Sequence, residues 1–304
     1  YLRKRVDFSF AFFDRTTAVR LFQYGGILSV WMLAGLLVSG LDIVIVGHYD
    51  YKSTGFYAVA SSVTGFMLMV VASVFSPLLP AVSSLQASAT PGHIGDLLIR
   101  VTRYCSLLLC LFGAMLVIGA YPLLSLWVGH DYAARSALYL EILVLGNIVR
   151  QLSYPYSLMV VATGKQHLAT IAAISEAAVN IIVSLLLVQR IGAVGVAIGT
   201  LVGAFVSLGM HLAVSMRFTQ STILVHRMRF VLQSLLRPLL SLTPSLMLCP
   251  FWRRFNMVPA NPALLALWAV LTLAIIWQVG LKSEDRHSLI DGASRLLYWR
   301  LGNA

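Results

Sequence analysis

The chain has 304 residues, of which 59% are hydrophobic and 11% charged, and it carries a net charge of +11. In a soluble domain such a basic excess would point to nucleic acid. Here the cations sit in short gaps between long apolar stretches, with no basic stripe of interleaved aromatics outside them, and that class is excluded.

Eight apolar stretches follow one another at 21–46, 55–79, 105–128, 138–161, 168–187, 193–216, 230–249 and 263–279. Each approaches the roughly 20 residues that a helix needs to cross about 30 Å of hydrocarbon. The expected fold is therefore all-α, a polytopic membrane helix bundle of about eight transmembrane helices. Alternate gaps and the two ends hold fifteen Lys and Arg, and the remaining gaps hold five. By the positive-inside rule both ends are placed in the cytoplasm. Residues 1–20, with Phe8, Phe10, Phe12 and Phe13 among basic side chains, read as an amphipathic interfacial linker into the first span. The first residue is Tyr1, not Met, and no signal-peptide pattern follows, so the chain is expected to be part of a longer protein.

Motifs of catalysis are not visible. The sequence has no CxxC, HExxH, GxSxG or P-loop glycine pattern, its seven His are scattered, and Cys105, Cys110 and Cys249 read as small apolar residues. Gaps of about 25 residues or fewer leave no room for a soluble catalytic domain. No enzyme, metal or cofactor is expected, and function is sought inside the spans.

A few charges interrupt the apolar stretches, and Arg150, Glu176 and Arg237 lie deepest. Arg150 lies mid-way along the fourth, where insertion scales charge an arginine about 2.5–3.5 kcal/mol. Asn147, Arg150 or Gln151, Tyr154 and Ser157 have the spacing of one helix face, and Pro155 predicts a kink that frees a backbone carbonyl. In the fifth stretch Glu176, Asn180 and Ser184 share a face. Arg150 and Glu176 have two readings: a structural ion pair between neighbouring helices, or groups lining a translocation path. Arg237, with Gln233, Ser241, Pro238 and Pro244, repeats the device in the seventh stretch, and structural and functional readings are equally open. Asp42 is a candidate for a coupling cation or proton, or else an interfacial carboxylate. Gly195, Gly199 and Gly203 recur every fourth residue and predict close approach of a neighbouring helix.

The segments LDIVIVGHYDYKSTGFYAVASSV, SPLLPAVSSL, LWVGHDY, VATGKQ and IGAVGVAIGT, in that order over about residues 21–216, resemble polysaccharide flippases. That family is the lipid-linked oligosaccharide (O-antigen-type) transporter branch of the MOP superfamily, related to the MATE exporters. The resemblance implies the second lobe of a MATE-like two-lobe fold at 21–216, two additional helices at 217–280 and a cytoplasmic tail at 281–304. It implies alternating access in a bacterial inner membrane, flipping an oligosaccharide carried on undecaprenyl pyrophosphate for surface polysaccharide or lipopolysaccharide synthesis. The partners implied are that lipid-linked oligosaccharide, membrane lipids, the first lobe, and a glycan polymerase or glycosyltransferases. Arg150 is then the expected diphosphate contact and Arg237 a second, because guanidinium holds phosphate bidentately. Asn147, Gln151, Tyr154 and Asn180 are the expected partners of sugar hydroxyls, and Glu176 joins the path as a substrate or coupling-ion residue. Two other readings stay open: a MATE-type cation-coupled multidrug antiporter using Glu176 and Asp42, and a non-transporting scaffold of a glycan-assembly complex.

Overall fold

In a computed structural model, the structure describes residues 14–86, 88–240, 270–275, 278, 280 and 286. These form helices throughout, and six spans among them are long and apolar enough to cross a membrane: Arg15–Tyr49, Tyr51–Leu85, Pro91–Ile118, His130–Ala162, Gln166–Ile191 and Ala193–Phe218. They correspond in order to the first six expected stretches. The seventh begins within the described residues, as Arg227–Phe230 and the π-helical Val231–Leu236. Residues 241–249 of it, most of the eighth and residues 1–13 of the linker lie outside the described residues.

Helix α1, Arg15–Tyr49, starts at an Asp14 cap that accepts from the Thr16 and Thr17 amides. Hydrogen bonds from the side chains of Thr16 and Thr17 hold the Asp14 carboxyl below the usual carboxylate range. The second span is divided into α2, Thr54–Phe75, and α3, Leu78–Leu85, by the turn at Ser76 and Pro77. The third differs from expectation. Thr90 caps and Pro91 opens a helix, α4, that runs to Ile118, so Arg100 and Arg103 lie on it and not in a gap before it. Arg103 is buried, and its Nε donates to the Gln233 carbonyl at 3.3 Å. Past Gly119, the remainder of the expected stretch is a separate short helix, α5, Ala120–Val128.

Helix α6, His130–Leu152, and α7, Tyr154–Ala162, make the fourth span, broken at Ser153 just before Pro155 as the sequence predicts. The carbonyl that Pro155 frees, that of Gln151, accepts from Cys105 Sγ at 3.6 Å, and at the break the Arg150 carbonyl accepts from the Ser153 amide at 3.3 Å and hydroxyl at 2.9 Å. Helix α8, Gln166–Ile191, turns at Gly192, where φ is 60°, into α9, Ala193–Met210, which continues through a π-helical turn, His211–Ser215. Across the α8–α9 contact the glycine stripe does what its spacing predicts. A Cβ on Gly199 would lie 2.1 Å from Ser184 Oγ, and one on Gly203 would lie 2.9 Å from the Glu176 carbonyl. Two backbones can approach that closely only because both positions lack a side chain.

Apolar burial falls into two clusters. One gathers Met67, Val71, Leu98, Tyr156, Met159 and Phe230 toward the face where α1 begins; the other gathers Val46, Tyr57, Ala60, Leu140, Val188 and Val196 toward the opposite face. Outward-pointing Leu36, Val44, Phe66, Met69, Ile182, Leu186 and Phe205 remain exposed, which suits contact with lipid and not with water. Among the described residues the buried charged side chains are Asp42, Arg103 and Glu176.

Candidate functional site

Helices α1, α2, α8 and α9 meet around Asp42. This carboxylate is only 3% exposed, so it is an interior group and not an interfacial one. Its Oδ2 accepts from Thr200 Oγ1 at 2.6 Å and Tyr57 Oη at 3.2 Å, and its Oδ1 accepts from Asn180 Nδ2 at 3.1 Å. Asn180 also donates to the Val38 carbonyl, and its Oδ1 accepts from Ser184 Oγ at 3.0 Å. Thus the face that carries Glu176, Asn180 and Ser184 is used as its spacing implies, chiefly to fasten α8 to α1 and α9. Burying a carboxylate among three neutral donors satisfies its oxygens without a cation in direct contact.

One turn along α8 from Asn180, Glu176 accepts from Arg150 Nε of α6. Arg150 Nη1 donates to Asn147 Oδ1 at 2.9 Å, and Asn147 Nδ2 donates to the Leu143 carbonyl at 2.8 Å. The pair is thereby oriented from both sides. Arg150 Nη2 is buried and has no hydrogen-bond partner among the described residues. Of the two carboxylates buried among the described residues, Glu176 is paired with Arg150 and Asp42 is held by neutral donors.

Beside the pair lies a cavity of about 260 Å³ between α1, α6–α7, α8 and α9. Arg150, Gln151, Tyr154, Ser157 and Glu176 line it, as do Trp31, Met32, Ser153, Ser207 and His211. Of the expected site residues, then, four share its wall: Arg150, Gln151, Tyr154 and Glu176. Asn147 and Asn180 do not, since both are buried and their amides are spent on Leu143, Asp42 and Val38. Arg237 also lies away from the cavity, at the end of the Val231–Leu236 segment that packs on α4. Among the described residues no cluster of His, Cys, Asp or Glu is arranged to hold a metal ion.

Tyr57, Thr200, Ser207 and His211 went unread in the sequence. The last three carried a signal, because Thr200, Gly203, Ser207 and His211 follow one face of α9 at helical spacing. Tyr57 carried none, since a lone tyrosine near a span end resembles an interfacial anchor.

Residues 3–137 match the profile of a family described as "Polysaccharide biosynthesis protein", a region somewhat under half of the chain. The fold is similar to that of the lipid II flippase MurJ in an inward closed conformation, with a TM-score of 0.57 and 18% sequence identity. That alignment covers 88% of this chain and 52% of the flippase, so the chain spans about half the length of the structure it matches. No curated protein sequence matches the chain. The profile match agrees with the family resemblance carried by the motifs, and the structural likeness agrees with the fold it implies.

Proposed function

We propose that the chain forms one lobe of a transporter that flips a lipid-linked oligosaccharide across the bacterial inner membrane by alternating access, with both ends of the chain cytoplasmic. The observation that carries the reading is the lobe itself: its helix arrangement follows that of a lipid II flippase along most of the chain. A cavity with a half-buried cation on its wall suits the headgroup of such a substrate.

The pyrophosphate is anionic, and a guanidinium with an unpartnered nitrogen in a low-dielectric cavity is a strong donor to it. Arg150 is the proposed contact through Nη2, while Nε stays with Glu176. Gln151 and Tyr154, also on the wall, are the proposed partners of the first sugar. A cavity of about 260 Å³ admits a diphosphate and part of a sugar, not a whole oligosaccharide, so the glycan would extend beyond this lobe. Asp42 is the proposed site of the coupling cation or proton, because it has no basic side chain in direct contact.

The test is replacement of the chromosomal gene by Arg150→Ala in its full-length context. The expected result is loss of surface glycan with accumulation of the lipid-linked precursor on the inner leaflet. Normal export at normal expression refutes the assignment.

The antiporter reading keeps one specific support. Glu176 neutralises Arg150, which removes the like-charge repulsion that a cationic substrate would otherwise meet. Drug sensitivity on deletion, with surface glycan intact, would favour it. The scaffold reading has less support, since a polar cavity beside the charged pair has no use in a fully packed scaffold.

A further inference from the structure

A second buried polar atom without a hydrogen-bond partner among the described residues belongs to a residue that lines the same cavity: Nδ1 of His211. His211 is 3% exposed and opens the π-helical turn at the end of α9, a local irregularity often found at functional positions. Its Nε2 lies 3.1 Å from Ser157 Oγ, and the same hydroxyl lies 3.2 Å from the Ser153 carbonyl. The hydroxyl has one proton. Given to Ser153 O, it leaves Oγ to accept from Nε2–H, so Nδ1 carries a lone pair with nothing to receive.

The titratable and charged groups around His211 can be named. Arg150 of α6, Glu176 of α8 and Tyr154 of α7 line the cavity with it, and the Tyr156 ring stands edge-on at a centroid distance of 5.3 Å. Helix α1 contributes Trp31, Met32, Gly35 and Val38, none of them titratable. Arg150 and Ser157, the hydrogen-bond partner of His211, are seven residues apart, about 10 Å along the helical path.

We infer that His211 takes up a proton when a phosphate-bearing anion enters this cavity, so that the anion is held between Arg150 Nη2 and a charged imidazole. In the empty cavity the carboxylate on the wall, Glu176, is already paired with Arg150, and Asp42 is held by neutral donors away from the lining, so a charged imidazole there would have no anion in contact. An entering phosphate supplies the missing negative charge. The proton comes from solvent and adds to Nδ1, so the Nε2–H bond to Ser157 is kept and no other bond changes. The geometry thus couples anion binding to protonation at one named atom.

The inference rests on the proposal that Arg150 meets a diphosphate, and its test separates the two. The full chain in lipid nanodiscs is titrated calorimetrically with farnesyl diphosphate, in buffers of different ionisation enthalpy, as wild type, His211→Gln and Arg150→Ala. Wild type is expected to take up about one proton more per ligand than His211→Gln, and to gain affinity over it as pH falls through the imidazole range. His211→Asn serves if the Gln variant does not fold. Equal proton counts and parallel pH profiles for wild type and the His211 variant, with binding intact, overturn the inference and leave the Arg150 site standing. Undiminished binding by Arg150→Ala overturns the site, and the inference with it.

Discussion

The same substitution at two glycines of α9 should have opposite effects. A Cβ added at Gly199 meets Ser184 Oγ at 2.1 Å, Ser184 N at 2.9 Å and the Asn180 carbonyl at 3.0 Å, whereas one at Gly209 meets nothing within 4 Å. Unstrained contacts between heavy atoms lie near about 3.5–4.0 Å, so the overlap at Gly199 exceeds roughly 1 Å. The Ser184 hydroxyl can rotate only by leaving Asn180 Oδ1, and the Ser184 backbone cannot rotate away. Overpacking costs about 1–3 kcal/mol and the disturbed hydrogen bond about 1 kcal/mol, against a helix-propensity gain of about 0.5–1 kcal/mol. Gly199→Ala is therefore expected to lose about 2–3 kcal/mol and Gly209→Ala to gain up to about 1 kcal/mol. Unfolding in mixed micelles, followed by far-ultraviolet circular dichroism, measures both, and Gly203→Ala should fall between them. Equal stability of the two variants would refute the claim that the stripe exists for close α8–α9 contact.

Other expectations follow from the charged groups. Arg150→Leu should cost about 3–5 kcal/mol by stranding Glu176, and Arg150→Leu with Glu176→Leu should recover most of it while export stays lost; a double variant as unstable as the summed singles would deny the pair. Asp42→Ala should cost only about 1–3 kcal/mol, mainly for the stranded Tyr57 hydroxyl, because Thr200 and Asn180 have other acceptors in the Val196 and Val38 carbonyls. Chemical unfolding midpoints at constant slope provide that comparison. A single Cys at position 151, in a chain otherwise freed of cysteine, should react with a membrane-impermeant thiol reagent, and one at position 180 should not; the reverse order would place the water-accessible wall elsewhere.

The intramembrane charges were legible because hydrocarbon penalises them so heavily that each one needs a reason to be there. Their spacing also named the faces, and the break before Pro155 needed only the ring's missing amide. Burial depth was not legible. Asp42 stands close enough to a span end to pass for an interfacial carboxylate, and it became interior only because Tyr57, Asn180 and Thr200 converge on it from three other helices. The start of α4 was misplaced for a related reason. An apolar window stops at Arg103, whereas the helix continues to its cap at Thr90, with the arginine's charge turned onto the Gln233 carbonyl.

The sequence by itself determined the membrane class, the first six spans, the α8–α9 glycine contact and the family resemblance. Those follow from properties of single segments: length, apolar content, helical period and order along the chain. Only the packing of the helices shows that Arg150 pairs with Glu176, that Asn147 and Asn180 are spent inside the lobe, and that His211 lines the same cavity as Arg150. A side chain's partner depends on which helices become neighbours and how they are rotated, and helical periodicity constrains a face without saying what lies opposite it.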